Sequence, residues 1–596
     1  MAVDARAEYD VRLAQRRAAA AALAADERRI GTWRLLVFAA GALIAWLAFG
    51  PGLLPGWALA LPAAAFVALL LRHARVIPAR RQADRAVTFY ERGVARLADS
   101  WAGGGVAGSR YDDPTHPYAG DLDLFGTGSL FELLCTARTR AGQDCLAAWL
   151  LAPAAPDEVR ARQAAVTALR PRLDLREELA VLGDAVGEAL HGEALAAWGT
   201  APRRLPGGAA RLAAAALVGL AGLAAAGLGL ERLGPLPLLV GLAALAVVGG
   251  LFRARVRGVV RDVELAGHDL ELLATLLARI EREPADVPRL AALRAALDTD
   301  GVAPSQRIAA LERLVGLLDA RRNQFFAPLA PLLLWQTQLA MAVEAWRATS
   351  GGAVAGWLAA VGEYEALAAL AGYAFEHPDD RFPALVEGAA RLDGEQLGHP
   401  LLPAARCVRN DVRLGDAAPA VLVISGSNMS GKSTLLRTLG CNVVLAQAGA
   451  PVRAARLTLS PLAVGTSMRV HDSLQAGTSR FYAEIQRLRQ LVDRAAGAPP
   501  LLFLLDEILH GTNSHDRRIG AEAVVRGLLE RGAVGCITTH DLSLAGIAEA
   551  LAPRAANVHF ADHLEDGVMR FDYRMQPGVV QHSNALALMR AVGLEV

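Results

Sequence analysis

Between Arg34 and Arg72 the chain runs for 37 residues without a charge. Where water is excluded, a single segment satisfies its own backbone polar groups only as a helix. Pro51-Gly52-Leu53-Leu54-Pro55-Gly56 breaks the run in its middle, ending one helix and starting another. The pattern predicts a hairpin of two membrane helices, about 35–49 and 53–71. The first is short against the roughly 20 residues a bilayer needs. A second hairpin is expected from Leu212–Leu230 and Leu233–Phe252, joined by Glu231-Arg232. Both are rich in Ala, Gly and Leu, which suits close helix packing in lipid. Arginines flank each: Arg28, Arg29 and Arg34, then Arg72, Arg75, Arg80 and Arg81; Arg203, Arg204 and Arg211, then Arg253, Arg255, Arg257 and Arg261. The positive-inside rule then puts both turns outside and the rest in the cytoplasm, at a bacterial-type inner membrane. Two helical hairpins buried in a soluble core are the alternative. Residues 1–34 are polar and helix-prone, unlike a signal peptide.

Of the 596 residues 53% are apolar and 20% charged, which argues against disorder. Basic residues number 61 and acidic residues 60, leaving a net charge of +1 and no global basic field to drive nonspecific nucleic-acid binding. Cys135, Cys145, Cys407, Cys441 and Cys536 are isolated and form no CxxC pair. That argues against a disulfide framework and against structural zinc. The chain contains one lysine, Lys432; every other permanent cation is arginine.

That lysine lies in a phosphate-binding pattern. Val421-Leu422-Val423-Ile424 leads into Gly426-Ser427-Asn428-Met429-Ser430-Gly431-Lys432-Ser433-Thr434, a GxxxxGK[ST] motif between a predicted strand and a predicted helix. The glycines let backbone N–H groups face phosphate, and the following helix adds its dipole. Lys432 is the candidate for the β/γ-phosphates and Ser433 for Mg²⁺. A compact ammonium fits inside such a loop where a planar guanidinium does not. Leu501–Leu505 is an apolar strand ending in Asp506-Glu507: Asp506 as a Mg²⁺ ligand, Glu507 as the base for the attacking water. Thr538-Thr539-His540 ends another strand, with His540 a candidate γ-phosphate sensor. Strands alternating with helices from about residue 401 predict an α/β P-loop NTPase domain with a largely parallel sheet. Apolar residues at helical spacing over 129–200 and 253–395 predict an all-α region before it.

These residues resemble the ATPase domain of the MutS DNA mismatch-repair family. Asn428-Met429 is the distinctive part of the loop match. Asp472 to Glu484 resembles the family's signature segment, whose serine, Ser479 here, acts in trans on the partner subunit's nucleotide. Asp506 to Ser514 resembles its second nucleotide motif, Thr539-His540-Asp541 its switch histidine, and Phe571 through Gly578 and Ser583 to Gly593 its last strand and dimer-forming helices. His399-Pro400, Val408–Val412 and, more loosely, Gly128–Leu134, Thr139-Arg140 and Trp149–Pro153 extend the likeness upstream, so that it covers about 121–200 and 253–596. The resemblance implies ATP and Mg²⁺ as cofactors, a homodimer with composite sites, helical levers moved by hydrolysis, and DNA as a partner. It also yields a layout. A cytoplasmic helix occupies 1–34, hairpins 35–71 and 205–252, and a helix and linker 72–120. The helical core and lever occupy 121–204 and 253–400, and the ATPase domain 401–596.

There are departures. No counterpart of the mismatch-reading and connector domains is expected before residue 121. Phe89-Tyr90-Glu91 has the spacing of the family's mismatch reader, but it falls in a helix beside the first hairpin and is discounted. Cys407 stands where an adenine-stacking aromatic is often found, and Arg480 replaces a small residue. Arg is balanced by Glu and Asp over 253–345, as on a solvated helical face rather than a DNA clamp. Two other functions remain open. One is an ABC-transporter-like membrane ATPase, although the chain lacks a Leu-Ser-Gly-Gly-Gln signature and an ionisable residue within the four apolar helices. The other is a scaffold that dimerises on ATP.

Overall fold

A computed structural model describes residues 4–186, 190–320, 326–427, 429–469, 480–509, 513–565 and 568–580. The chain folds as two compact units. One comprises Met1–Thr136, Leu146–Leu173 and Leu367–Val596; the other comprises Ala137–Cys145 and Asp174–Ala366.

The first unit opens with a 45-residue helix, Ala5–Phe49, capped by the Asp4 carboxylate, which accepts from the Arg6 backbone N–H at 2.9 Å. The polar helix expected over 1–34 and the apolar one after it are therefore a single rod. The second leg starts later than the sequence pattern predicts, with a short 3₁₀ turn at Gly56–Leu59 and then the helix Ala60–Leu97. Pro55 disfavours helix at the residue before it, and Gly52 adopts φ +68°, so 50–55 stays a loop. The apolar parts of both legs are exposed, as at Leu35, Phe38, Trp46 and Phe49 on one and Trp57 and Leu61 on the other.

The base of this hairpin is buried instead. Tyr9 donates to Glu376 Oε1 at 3.0 Å, and Arg96 donates to the two oxygens of the same carboxylate at 2.7 and 2.5 Å. Burial would raise the Glu376 pKa, but Arg96, then His377 and Tyr9, hold it below the usual carboxylate value. Tyr9 also packs on Tyr90 and Phe375, and a Cβ at Gly93 would lie 2.5 Å from its ring. Phe89 and Tyr90 are thus buried packing residues, out of reach of any duplex.

The segment expected as a linker is seated on the sheet edge. Asp121 is buried and accepts from Thr466 Oγ1 at 2.6 Å and from the backbone N–H groups of Met468 and Arg469 at 3.1 and 2.9 Å. Glu132 takes the Gly105 and Gly128 N–H groups. Gly105 serves a close backbone approach, since a Cβ there would lie 2.8 Å from Glu132 Cγ.

Ten strands follow: β1 Ala384–Leu385, β2 Arg391–Leu397, β3 Asn410–Gly415, β4 Val421–Ser425, β5 Arg456–Leu459, β6 Ala463–Ser467, β7 Leu501–Asp506, β8 Val534–Thr539, β9 Ala555–Glu565 and β10 Val568–Pro577. A small mixed sheet has the order β1-β5-β2-β3. The main sheet has the order β10-β9-β4-β8-β7-β6, parallel from β9 to β6 with β10 antiparallel at the edge. Its central strands are buried on both faces, the reason they are continuous apolar runs. Register aligns Ile424 with Thr538, Ser425 with Thr539, and Asp506 with Thr538. The carboxyl ends of β4, β7 and β8 therefore form one ledge, where open parallel sheets bind ligands.

The second unit is helical. Gly208–Gly229 and Leu236–Ile280 form its hairpin, packed so closely that a Cβ at Gly241 would lie 3.2 Å from that of Ala221. The long helix changes character midway: exposed at Leu236, Leu239, Val240 and Leu251, buried from Val256 through Val263, Leu270 and Leu277 to Ile280. That second half packs against Pro304–Asp319 and Trp335–Ser350. Pro288 and Pro304 each open a helix, where the missing N–H costs nothing.

Among the described residues, five helical segments are long and apolar enough to cross a membrane by length and composition. Four belong to the two hairpins, and at most 11% of their most apolar windows is buried. The fifth, Trp335–Glu376, is 72% buried and is core.

Candidate nucleotide-binding site

The loop after β4 turns on left-handed backbone. Gly426 has φ +153° and Gly431 φ +102°, and a Cβ at either would lie 2.8 Å from Ser430 Oγ or 3.1 Å from the Tyr573 ring. Glycine is therefore required at both by conformation and by space. The helix Lys432–Ala448 starts directly after Gly431 and is almost wholly buried. Lys432 is itself buried, and its ammonium donates to the Gly426 and Ser427 carbonyls at 2.9 and 2.8 Å. Burial lowers its pKa, and the carboxylates of Glu507 and Asp506 oppose that shift.

The two acidic residues at the end of β7 do different things. Asp506 accepts from Ser433 Oγ at 2.6 Å and also from the Thr538 hydroxyl. Thr538 in turn accepts the Glu507 backbone N–H at 3.1 Å, so one β8 hydroxyl sets the Asp506 carboxylate and the Glu507 main chain. Glu507 has φ +50° and Leu509 φ +55°. Left-handed backbone at non-glycine residues costs roughly 1–2 kcal/mol each and is concentrated at functional sites. The turn is held by buried Glu484, which accepts the Leu509 N–H. This geometry brings Glu507 Oε1 to 3.0 Å from His540 Nδ1 and 3.9 Å from Lys432 Nζ.

Ser433, Asp506, Glu507 and Lys432 share a cavity of about 900 Å³, within the size range of ligand pockets. Its far side is lined by Leu402, Arg406, Val408, Asn410 and Tyr573. The Tyr573 backbone has φ +55° at the bulge between Phe571 and Met575; its carbonyl accepts from Asn410 Nδ2 at 3.0 Å. The ring lies over Gly431. An aromatic thus reaches the cavity from β10. Tyr573, Thr538, Asn410 and Glu484 were not singled out as site residues from sequence. Each nonetheless lies inside a segment singled out there: Asn410 in Val408–Val412, Glu484 at the end of the signature segment, Thr538 beside His540 and Tyr573 in the tail.

The donor set fits a magnesium nucleotide. The Ser427 and Ser430 hydroxyls are buried and, among the described residues, have no hydrogen-bond partner; both belong to the loop that would hold a phosphate chain. Ser433 and Asp506 offer hard oxygen ligands of the kind Mg²⁺ takes. Thr434 follows them on the same helix, and Met429 is exposed at the loop tip. Asn428, Ser479 with the rest of 470–479, His510 to Thr512 and the tail from 581 lie outside the described residues.

Residues 422–595 match the sequence model of MutS domain V. The chain carries a MutS domain V. That domain is what the chain shares with the MutS family. It is 36% identical over 204 residues to an endonuclease MutS2 of Thermus thermophilus, covering 33% of this chain and 25% of the relative. It is 35% identical over 202 residues to a DNA mismatch repair protein MutS 2 of Haloarcula marismortui, covering 33% and 21%. It is 31% identical over 221 residues to the DNA mismatch repair protein MSH6 of Arabidopsis thaliana, covering 35% and 16%. The chain thus spans about a quarter or less of these relatives' length, and domain V carries the likeness.

Proposed function

We propose that this protein is a membrane-anchored MutS-like ATPase. The observation that carries the reading is the ledge at the ends of β4, β7 and β8, where the loop lysine, Ser433–Asp506 and Glu507 line one cavity and His540 contacts Glu507. Magnesium-bound ATP supplies the phosphoanhydride bond that is cleaved. Lys432 and the loop N–H groups hold its phosphates, while Ser433 and Asp506 hold the metal. Glu507 takes the proton of the attacking water, and His540 fixes the orientation of that carboxylate. Tyr573 offers a face on which a base stacks.

Two domains V form a composite pair in this reading, with Ser479 of one completing the site of the other, and hydrolysis shifts the helical levers. The family resemblance supports this. The hairpins span a cytoplasmic membrane with the ATPase domain inside; what supports that is the exposure of four charge-free helical segments flanked by arginine. DNA is proposed as a partner on the relatives' names alone. The deciding experiment is ATP hydrolysis by the purified full chain in detergent, with and without Mg²⁺. Activity that is absent, or unchanged in Lys432→Ala, overturns the enzyme reading.

A further inference from the structure

The two hairpins differ in how many flanking arginines stand without counter-charge. In the first, Arg29 and Arg72 lie near Asp26 and Arg80 pairs with Glu27 and Asp84, leaving Arg28, Arg75 and Arg81 exposed and without an ion-pair partner among the described residues. In the second, Arg203, Arg211, Arg253, Arg255 and Arg257 are all exposed, and among the described residues none has an ion-pair or hydrogen-bond partner. Of their neighbours, Arg204 and Arg261 share Asp262.

These five guanidinium groups occupy one level. The legs are antiparallel, with Ala221 against Gly241 and Arg204 against Gly258. On that register Arg211 faces position 251 and Arg253 faces 209; Arg203 lies in the non-helical stretch before Gly208, where the guanidinium of the next residue, Arg204, reaches Gly258. All five therefore fall within about two turns at the open end of the hairpin, where the charge-free segments stop. From Leu212 to Gly229 the helix rises about 27 Å, close to the roughly 30 Å of a hydrocarbon core. At the other end stand only Glu231 and Arg232, whose charges cancel.

We propose that this arginine belt binds the headgroups of anionic phospholipids, so that the second hairpin selects its lipid neighbours. The inference rests on the membrane reading above. An exposed guanidinium at the edge of an apolar rod meets phosphate as its natural bidentate partner. Five of them without counter-charge favour a net-negative headgroup over a zwitterionic one, whose ammonium they repel. The apolar surface continuous with the belt selects lipid over nucleic acid or a free anion. Each such charge changes partitioning to an anionic surface by about fivefold.

The test uses the full chain in detergent, exposed to equal amounts of phosphatidylglycerol and phosphatidylcholine, with retained lipid measured by mass spectrometry after gel filtration. Phosphatidylglycerol should be enriched at least about fivefold. The combined Arg203→Gln, Arg211→Gln, Arg253→Gln, Arg255→Gln, Arg257→Gln variant should bring the ratio to near one. The same five positions changed to Lys, and a first-hairpin variant with Arg28→Gln, Arg75→Gln and Arg81→Gln, should keep the preference. Thermal melting reports whether each variant folds. An unenriched ratio in the unaltered protein overturns the inference. So does displacement of the retained lipid by millimolar inorganic phosphate or by a short DNA duplex. Failure of the membrane reading itself is read separately, as release of the protein from membranes by alkaline carbonate.

Discussion

His540 Nδ1 meets Glu507 Oε1 at 3.0 Å, and the same oxygen lies 3.9 Å from the Lys432 ammonium. The carboxylate at the end of β7 is therefore held between a ring from β8 and the only lysine in the chain. A carboxylate accepts only, so the ring nitrogen donates, and the imidazole fixes the direction in which Glu507 presents its other oxygen. Glu507→Gln should keep ATP binding and lower kcat by about 10²–10⁴-fold, the range of a positioned general base. His540→Ala should cost less, about tenfold, because the base survives with looser orientation. Single-turnover hydrolysis beside equilibrium ATP binding separates the two effects; loss of binding in both variants would assign the pair to ground-state contacts.

Lys432 is buried and its Nζ fits between two loop carbonyls. A guanidinium needs a wider, planar space. Lys432→Arg should therefore weaken ATP binding by roughly 100-fold despite keeping the charge, the equivalent of losing a charge-assisted hydrogen bond. With no other lysine present, an amine-acylating reagent should modify only this side chain and the chain's amino terminus. Saturating Mg²⁺-ATP should protect the lysine, a peptide-level measurement that needs no turnover.

Tyr573 offers its ring beside Gly431. Tyr573→Ala should weaken ATP about 3–10-fold, as loss of one aromatic stack predicts, while Tyr573→Phe changes little. Tripolyphosphate has no base, so its affinity should not move. An equal loss for both ligands would make Tyr573 a support of the loop rather than a platform for the base.

His399 gives a pH dependence with a definite sign. Burial, with the positive fields of Arg437 and Arg453, lowers its pKa to about 4, Asp123 opposing. Its Nδ1 accepts the Leu401 N–H at 3.2 Å, which only the neutral ring allows. The folded state therefore binds this proton more weakly than the unfolded one. The associated stability is complete above about pH 6.5 and is lost as pH falls toward 4, up to about 3 kcal/mol. His116, also held down by burial, acts in the same direction. Melting temperature should drop across that window, and His399→Gln should flatten the curve.

What was legible in the sequence was chemistry written in contiguous residues. Gly426 to Thr434 and Asp506-Glu507 declare their roles locally, and both charge-free hairpins follow from what the sequence lacks. Contacts between distant residues were not legible. Asn410 finds the Tyr573 carbonyl across 163 positions, and Thr538 ties the Asp506 carboxylate to the Glu507 main chain only because β8 lies beside β7. The stretch before residue 121 reads as a linker because the carboxylate that takes the Gly105 N–H belongs to Glu132, beyond it. Continuity of the first helix through residue 34 was hidden for the opposite reason: a change from polar to apolar surface leaves the backbone unaltered.

The Tyr9–Glu376–Arg96 clasp has a practical corollary for anyone wishing to excise the α/β domain. Removing residues 1–97 to obtain a soluble fragment would strip a buried carboxylate of all three donors and uncover Phe375. A stranded buried charge costs roughly 3–5 kcal/mol, a large share of a domain's margin. The first hairpin therefore also completes the core of the unit that carries the nucleotide-binding cavity. A fragment that drops it should express well only when Glu376 is changed as well, to a neutral residue that needs no clasp.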